Sequence, residues 1–300
     1  MKSKRSRVCK KRIPKIKKYR PKEYDFVCRA FQLKLGRVTR IMGILNVTCD
    51  SFSNDGIYQD PQQALERARQ MAAEGADIID VGGESTRPGA RTITAEEECL
   101  RVLPVIEKLA QEIKLPISID TTKAIVAQRA LAAGASIVND ISALKFDAQM
   151  GQVIAHFGAG CILMHIQGTA QTMQNHPDYT CLIDEIKAGL RAGVGKATAA
   201  GIERNRIVID PGIGFGKTTE HNLQIIKHLG EFACLDLPVL LGASRKSFIG
   251  NVLKLPVDER LLGTAAAVAA GIINGAQIIR VHDVGAMAQT ARMIDAIVNS

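Results

Sequence analysis

The chain has 300 residues, of which 46% are hydrophobic and 4% aromatic, and it carries a formal net charge of +9 at pH 7. This length allows one large domain or two small ones, and the lack of Trp fits helices packed on buried strands better than a β-sandwich. The excess charge is confined to one end, since residues 1–22 hold 12 Lys or Arg and no acid, which leaves 27 basic and 30 acidic residues elsewhere. The rest of the chain is therefore mildly acidic.

Residues 1–23 are interpreted as a basic N-terminal tail. The tail has no apolar core of the kind that marks a secretory signal, and its two prolines fit poorly with an amphipathic targeting helix. A segment this rich in like charges is typical of a solvated, disordered arm. The alternatives are an arm that binds a polyanion, such as RNA or a membrane surface, and a start codon placed too early.

Cysteine usage and hydropathy restrict the compartment. The seven cysteines are scattered and none forms a C-x-x-C pair, so neither a disulfide framework nor a zinc site is indicated. No apolar stretch approaches the roughly 20 residues needed to span a bilayer. We expect a cytoplasmic protein without a membrane span.

From about residue 39 the sequence alternates short apolar runs with segments of helical periodicity. The runs are apolar at successive positions, as in parallel strands covered on both faces. In chain order they are RIMGIL (40–45), ADIIDV (76–81), PISID (116–120), SIVND (136–140), CILMH (161–165), RIVID (206–210), PVLLG (238–242) and AQIIRV (276–281). Eight strand–helix pairs predict a single (β/α)8 barrel over residues 38–299. A doubly wound open sheet is the alternative.

Each predicted strand ends in, or leads into, a polar or ionisable residue. For any one of them a turn or helix-capping role is a sufficient explanation, but Lys, Arg and His are poor caps. Because the C-terminal ends of barrel strands converge on one face, the pattern predicts an active site there. The residues are Asn46, Glu84, Asp120, Asn139, His165, Asp210, Ser244, Lys246, Arg280 and His282.

Three of these side chains indicate a heterocyclic ligand. Asp120, Asn139 and Asp210 supply acceptors and an amide. Such a set suits a flat heterocycle with an N–C–NH2 edge, to which a carboxylate makes two hydrogen bonds.

Three others indicate phosphate. Arg280 and His282 lie two positions apart on one strand and therefore share a face. Asn46 can offer its amide oxygen to Mg²⁺, but a neutral amide is a weak ligand alone, so the phosphates would supply most of the coordination.

Two loops bear on the same face. The stretch DPGIGFGKT (210–218) resembles a Walker A loop, but Pro211 stands at the position of its first glycine, so a P-loop NTPase is not indicated. We expect its glycines to bring Phe215 over the barrel mouth, with a plain flexible turn as the alternative. Arg87, in GGESTRPGA, either reaches across the face or is solvated.

Six motifs, in order, span about residues 39–298. They are MGILNVTCDSFSNDG, GADIIDVGGESTRPGA, LMHIQGTAQTMQ, DPGIGFGKT, LLGASRKSFIG and GAQIIRVHDV. Together they resemble the motifs of the dihydropteroate synthase family, in which the basic tail has no counterpart. The resemblance implies a folate-pathway transferase that joins 4-aminobenzoate to 6-hydroxymethyl-7,8-dihydropterin diphosphate and releases diphosphate, with Mg²⁺ as cofactor. We also expect a homodimer and a sulfonamide target.

The resemblance further implies a role for each matching residue. The residues implied to hold the pterin are Asp120, Asn139, Asp210 and Lys246. Those for the diphosphate are Asn46, Arg280 and His282, with Asn46 also contacting Mg²⁺. Those for the aminobenzoate side are Thr86, Arg87, Phe215 and Ser244. The implied catalytic residues are Asp210, Lys246, Arg280 and His282.

The chain departs from the family pattern at two loop positions. Cys49 stands where Pro usually follows the first N-V-T, and Ala170 stands where Pro is usual after the fifth strand. Loss of a proline increases the entropy of the unfolded backbone by about 0.4–1 kcal/mol. We expect the ordering of these two loops to differ from that of the family.

Two other functions compete with this interpretation. Methyltetrahydrofolate-dependent methyltransferases would need the pterin pocket but not the diphosphate-binding set. An RNA-associated protein would use the basic tail and leave the polar strand ends unexplained. Deletion of the tail distinguishes this second alternative from a synthase. A synthase should keep nearly full activity, whereas an RNA-associated protein should lose its affinity for RNA, an affinity that depends steeply on salt.

Overall fold

The computed structural model describes residues 22–47, 60–85, 90–169, 171–174 and 177–300. The predictions made for the basic tail up to residue 21, for Cys49, for Thr86 and Arg87 and for Ala170 lie outside these ranges. Within them, no helix is both long and apolar enough to cross a membrane.

An antiparallel hairpin that the sequence analysis did not predict precedes the barrel. Its strands are β1 (Tyr24–Cys28) and β2 (Phe31–Leu35). Phe26 and Leu35 are buried and pack in one cluster with Ile78 and Ile278, the first residues of two barrel strands. The hairpin therefore covers the N-terminal end of the barrel.

Eight parallel strands form the barrel. They are β3 (Arg40–Asn46), β4 (Ile78–Gly82), β5 (Ile117–Asp120), β6 (Ile137–Asp140), β7 (Gly160–Met164), β8 (Ile207–Asp210), β9 (Leu240–Leu241) and β10 (Ile278–Val281). They pair in the order β8-β7-β6-β5-β4-β3-β10-β9. Ile209 closes the ring, since its N–H donates to Pro238 O at 2.9 Å and it bridges Val239 in parallel register. The predicted (β/α)8 barrel is confirmed.

Helices surround the strands. They are α1 (Pro61–Glu74), α2 (Ala95–Glu112), α3 (Ala124–Ala132), α4 (Met150–Phe157), α5 (Leu182–Ala199), α6 (Thr219–Lys227), α7 (Ser247–Leu253), α8 (Leu261–Ile273) and α9 (Val284–Asn299). Asp60 begins α1 by accepting from Gln62 N at 2.9 Å, and Gly75, at φ 106°, ends it. Such local signals fix where each helix meets the next strand.

The strands are buried on both faces. Every residue of β4, β6, β7 and β8 is buried, because alternate side chains face the barrel interior and the helix layer. This arrangement explains the unbroken apolar runs in the sequence. It also means that a charged side chain inside such a strand needs a partner.

Candidate active site

The polar residues predicted from the strand ends lie at the C-terminal mouth of the barrel, which we call the rim. In chain order they are Asn46 at the end of β3, Glu84 after β4, Asp120 at the end of β5, Asn139 in β6, His165 after β7, Asp210 at the end of β8, Ser244 and Lys246 after β9, Arg280 in β10 and His282 after β10. Phe215, predicted from the loop glycines, follows β8. Several of them are in direct contact.

Arg280 lies between two carboxylates. Its Nε donates to Asp80 Oδ2 at 2.6 Å and its Nη2 donates to Asp120 Oδ2 at 2.7 Å. Asp80 also accepts from Asn139 Nδ2 at 3.3 Å. Asp80 is fully buried, and its Oδ1 has no hydrogen-bond partner in the part of the chain described. Arg280 therefore compensates most of the buried charge of Asp80, through a charge-assisted hydrogen bond.

Asp210 and Lys246 border the same space as Arg280. Gly242 marks this space, because a Cβ built there would lie 3.8 Å from Lys246 Nζ, 3.9 Å from Asp210 Oδ2 and 4.0 Å from Arg280 Cβ. Any larger residue at position 242 would project among these three side chains. Glycine keeps the space between them open.

The loop after β8 fixes the ammonium group of Lys246. Asp210 Oδ1 accepts from Gly212 N at 2.7 Å, which turns the chain at the strand end. Lys246 Nζ donates to Ile213 O and lies 4.6 Å from the ring centroid of Phe215, a cation–π contact. Phe215 thus lies at the barrel mouth, as predicted from the glycines of this loop.

Ser244 contacts His282. Ser244 Oγ lies 3.0 Å from His282 Nδ1, and His282 N donates to the same oxygen at 3.3 Å. Arg67 of α1 also donates to His282 O, at 3.2 Å. A residue predicted for the aminobenzoate side therefore adjoins one predicted for the diphosphate.

Burial controls the charges of the site. It raises the pKa of Asp120 to about 7, against the lowering effect of Arg280. It also raises the pKa of Asp210, which Lys246 opposes. Burial lowers the pKa of Lys246 to about 8, and Asp210 acts in the other direction. At Arg280 burial favours the neutral form, but Asp80 and Asp120 outweigh it, so its pKa is raised. At neutral pH Lys246 and Arg280 are therefore cations, and the Asp120 carboxyl is near the midpoint of its titration.

Asn46 is the predicted contact for Mg²⁺. A Cβ built at Gly82 would lie 3.6 Å from Asn46 Oδ1, which places the amide oxygen beside the end of β4. Among the described residues there is no group of three or more His, Cys, Asp or Glu that could hold a metal ion. One neutral oxygen fits Mg²⁺ only as a single ligand beside substrate phosphates, a mode that suits this ion.

The sequence analysis missed two charged residues of this region. Asp80 was read only as part of an apolar run, although a carboxylate inside a strand buried on both faces is itself a signal. Lys217 was considered only within the rejected Walker A match. It is 3% exposed, and nothing in a glycine-rich loop distinguishes such a lysine from a solvated one.

The fold and these contacts define a (β/α)8 barrel with a cluster of buried charged side chains at its rim, the position of the active site in enzymes of this fold. The family described as pterin binding enzyme matches residues 42–282. A dihydropteroate synthase of Synechocystis sp. is 49% identical over 263 residues, 87% of this chain and 91% of the relative.

Two solved structures of dihydropteroate synthases are similar to this chain over most of its length. The Yersinia pestis dihydropteroate synthase in complex with a sulfonamide drug is 40% identical, with a TM-score of 0.88, over 92% of this chain and 100% of the other. The Xanthomonas albilineans dihydropteroate synthase with 4-aminobenzoic acid is 38% identical, with a TM-score of 0.84, over 92% and 98%. The chain belongs to the dihydropteroate synthase family of pterin-binding enzymes.

Proposed function

We propose that the rim site joins 4-aminobenzoate to 6-hydroxymethyl-7,8-dihydropterin diphosphate, the reaction of the family, with the residue roles given below. The observation that carries these roles is the space beside Gly242, which Asp210, Lys246 and Arg280 border together. Asp120 adjoins this set through Arg280. Opposite charges around a small open space suit a heterocycle that has both donors and acceptors on its edge.

Four residues are proposed to bind the pterin. Asp120 and Asp210 accept from its N–H groups, while Lys246 and Asn139 donate to its acceptors. Asp210 Oδ2 and Lys246 Nζ both lie within 4 Å of a Cβ built at Gly242. Asp120 titrates near neutrality, so its carboxylate can gain full charge when pterin N–H groups replace water.

Asn46, Arg280 and His282 are proposed to bind the diphosphate. Arg280 is held by Asp80 and Asp120, so the protein's own carboxylates orient its guanidinium. Asn46 would be one ligand of Mg²⁺. When bound, the ion would neutralise charge on the diphosphate oxygens and so improve the leaving group.

The side chains support a substitution at the pterin methylene carbon. The C–O bond breaks and its electron pair leaves with the diphosphate, where Arg280 and His282 stabilise the charge. Asp210 and Asp120 offset the positive charge that spreads into the pterin ring. The amine of aminobenzoate then forms the C–N bond and loses a proton. This route needs no covalent nucleophile, so the contact of Ser244 with His282 is assigned to substrate positioning.

Phe215 and Ser244 are proposed to shape the aminobenzoate side, together with Thr86 and Arg87, which lie outside the described residues. Phe215 offers a ring face next to Lys246. Ser244 offers a hydroxyl next to His282. The aromatic ring of the second substrate would thus lie close to the reacting carbon.

We also propose a homodimer formed through α7 and α8. Leu262 is 81% exposed and Val252 is 52% exposed. Helix α8, LLGTAAAVAAGII, has no charged residue, yet only four of its 13 residues are buried. An apolar helix left partly exposed is typical of a surface that binds another protein.

The five described cysteines are free, which supports a cytoplasmic location.

An initial-rate assay tests the function. Pterin diphosphate, 4-aminobenzoate and Mg²⁺ should give dihydropteroate and diphosphate in equal amounts, and Lys246→Ala and Asp210→Ala should each lower kcat by at least about tenfold. Methyltetrahydrofolate should not act as a methyl donor. No dihydropteroate, or undiminished product after rigorous metal removal, would contradict the proposal.

A further inference from the structure

A buried lysine outside the proposed substrate contacts lies near the end of the loop that connects β8 to α6. Lys217 is 3% exposed. Its Nζ lies 3.1 Å from His165 Nδ1, donates to Phe215 O at 2.9 Å and donates to His165 O at 3.4 Å. In the described part of the chain, no carboxylate forms an ion pair with it. The cation is held by three neutral acceptors instead.

Three polar atoms around one nitrogen suit the charged form of Lys217, which burial opposes. An ammonium group has three N–H donors, whereas a neutral amine has two. The acceptor at His165 requires a neutral imidazole with its lone pair on Nδ1. Burial lowers the pKa of His165 to about 3, so this ring is neutral. Burial lowers the pKa of Lys217 to about 7, with Asp210 acting in the opposite direction.

The surrounding structure holds His165 in place. It directly follows β7, its N–H donates to Asp210 O at 2.9 Å, and it is 7% exposed. A Cβ built at Gly189 of α5 would lie 2.7 Å from His165 Cδ2, so the helix packs directly on the ring. Lys217 therefore ties the loop after β8 to a side chain that the barrel and a helix already hold in place.

The tied loop carries both groups that contact the Lys246 ammonium. Ile213 O accepts from Lys246 Nζ, and the Phe215 ring lies beneath it at 4.6 Å. Lys217 bonds the backbone oxygen of that same Phe215. A second tie acts on the next residue, since Tyr179 Oη donates to Gly216 O at 2.9 Å.

We propose that Lys217 is a positioning residue for Lys246. Its ammonium group fixes the backbone of Phe215 against His165, and the Phe215 ring in turn fixes the Lys246 ammonium beside the pterin subsite. This inference rests on the proposed function of Lys246. It assigns Lys217 no contact with substrate.

A double-mutant cycle separates this role from a structural one. Lys217→Met should lower kcat/KM for pterin diphosphate by about tenfold in the wild-type background, which corresponds to about 1.4 kcal/mol. In the Phe215→Ala background the same change should lower it less than about twofold, because coupled residues are non-additive. Lys196→Met is the control: Lys196 Nζ also donates to a backbone oxygen, Leu144 O at 3.2 Å, away from the loop after β8, and this change should leave kcat/KM unchanged.

Equal losses in both backgrounds, or no loss in either, would overturn the inference. Should Lys217→Met not fold, Tyr179→Phe replaces it, since that variant releases Gly216 in the same loop. A loss with Tyr179→Phe that disappears in the Phe215→Ala background supports the inference, and an equal loss in both overturns it. A wild-type protein that makes no dihydropteroate contradicts the proposed function instead, so the two failures are distinguishable.

Discussion

Replacement of Asp80 by Asn tests how the rim orients Arg280. Asp80 is fully buried and accepts from Arg280 Nε at 2.6 Å. Asn keeps the shape of the side chain and removes its charge. The ion pair then becomes a hydrogen bond in which only the Arg280 guanidinium is charged, and hydrogen bonds to charged groups contribute about 1.5–3 kcal/mol. Loss of the smaller end of this range, about 1.4 kcal/mol, corresponds to a change of about tenfold in rate.

We therefore expect Asp80→Asn to lower kcat/KM for pterin diphosphate by about tenfold. The KM for 4-aminobenzoate should change little, because no residue proposed for that substrate bonds Asp80. The assay is initial-rate formation of dihydropteroate, with each substrate varied in turn at saturating concentration of the other. Thermal melting of the same samples reports any loss of stability from the new buried amide.

Asp77→Asn is the matched control. Asp77 lies just before β4, at the opposite end of the strand from the rim, and accepts from Arg40 Nη1 and from Ile41 N, each at 2.8 Å. It should lower the melting temperature and leave the kinetic constants unchanged. An Asp80→Asn enzyme with wild-type kinetics, or equal kinetic losses in both variants, would refute the role given to Asp80.

Three further predictions follow from the charges and surfaces. Asp120, with a pKa of about 7, gains its negative charge as the pH rises, whereas Lys246, with a pKa of about 8, loses its positive charge. The value of kcat/KM for pterin diphosphate should therefore rise towards neutrality and fall above about pH 8. A profile that is flat from about pH 6 to 9 contradicts this prediction. Deletion of residues 1–21 should leave kcat within about twofold of the value for the full-length protein, because the shortened chain begins at the hairpin, which covers the end of the barrel opposite the rim. A loss of about tenfold would show that the tail contributes to the site. Leu262→Glu should convert a dimer to a monomer in light scattering, and an unchanged mass locates the interface elsewhere.

The sequence was sufficient for the barrel and for most of the rim, for a physical reason. Parallel strands covered on both faces are apolar at most positions, so a polar residue such as Asp120 or Asp210 commonly marks the point where a strand ends. The hairpin of β1 and β2 was missed because only the apolar runs after residue 39 were interpreted as strands. The alternation of apolar and polar residues in FQLKL, the sequence of β2, is itself typical of a half-buried strand.

Contacts between distant segments were beyond the sequence. Asp80 and Arg280 are 200 residues apart, and Ser244 and His282 are 38 apart. The pairing of β10 with β3 and with β9 brings these pairs together. Lys217 illustrates the same limit, because its three acceptors come from two loops whose proximity depends on the pairing of β7 with β8.

A crystal structure of the protein with pterin diphosphate and Mg²⁺ tests the central claim most directly. The account predicts the pterin ring beside Gly242, bonded by Asp120, Asn139, Asp210 and Lys246, with the diphosphate at Asn46, Arg280 and His282. A pterin bound away from Asp210 and Lys246, or a diphosphate that contacts neither Arg280 nor His282, would contradict it.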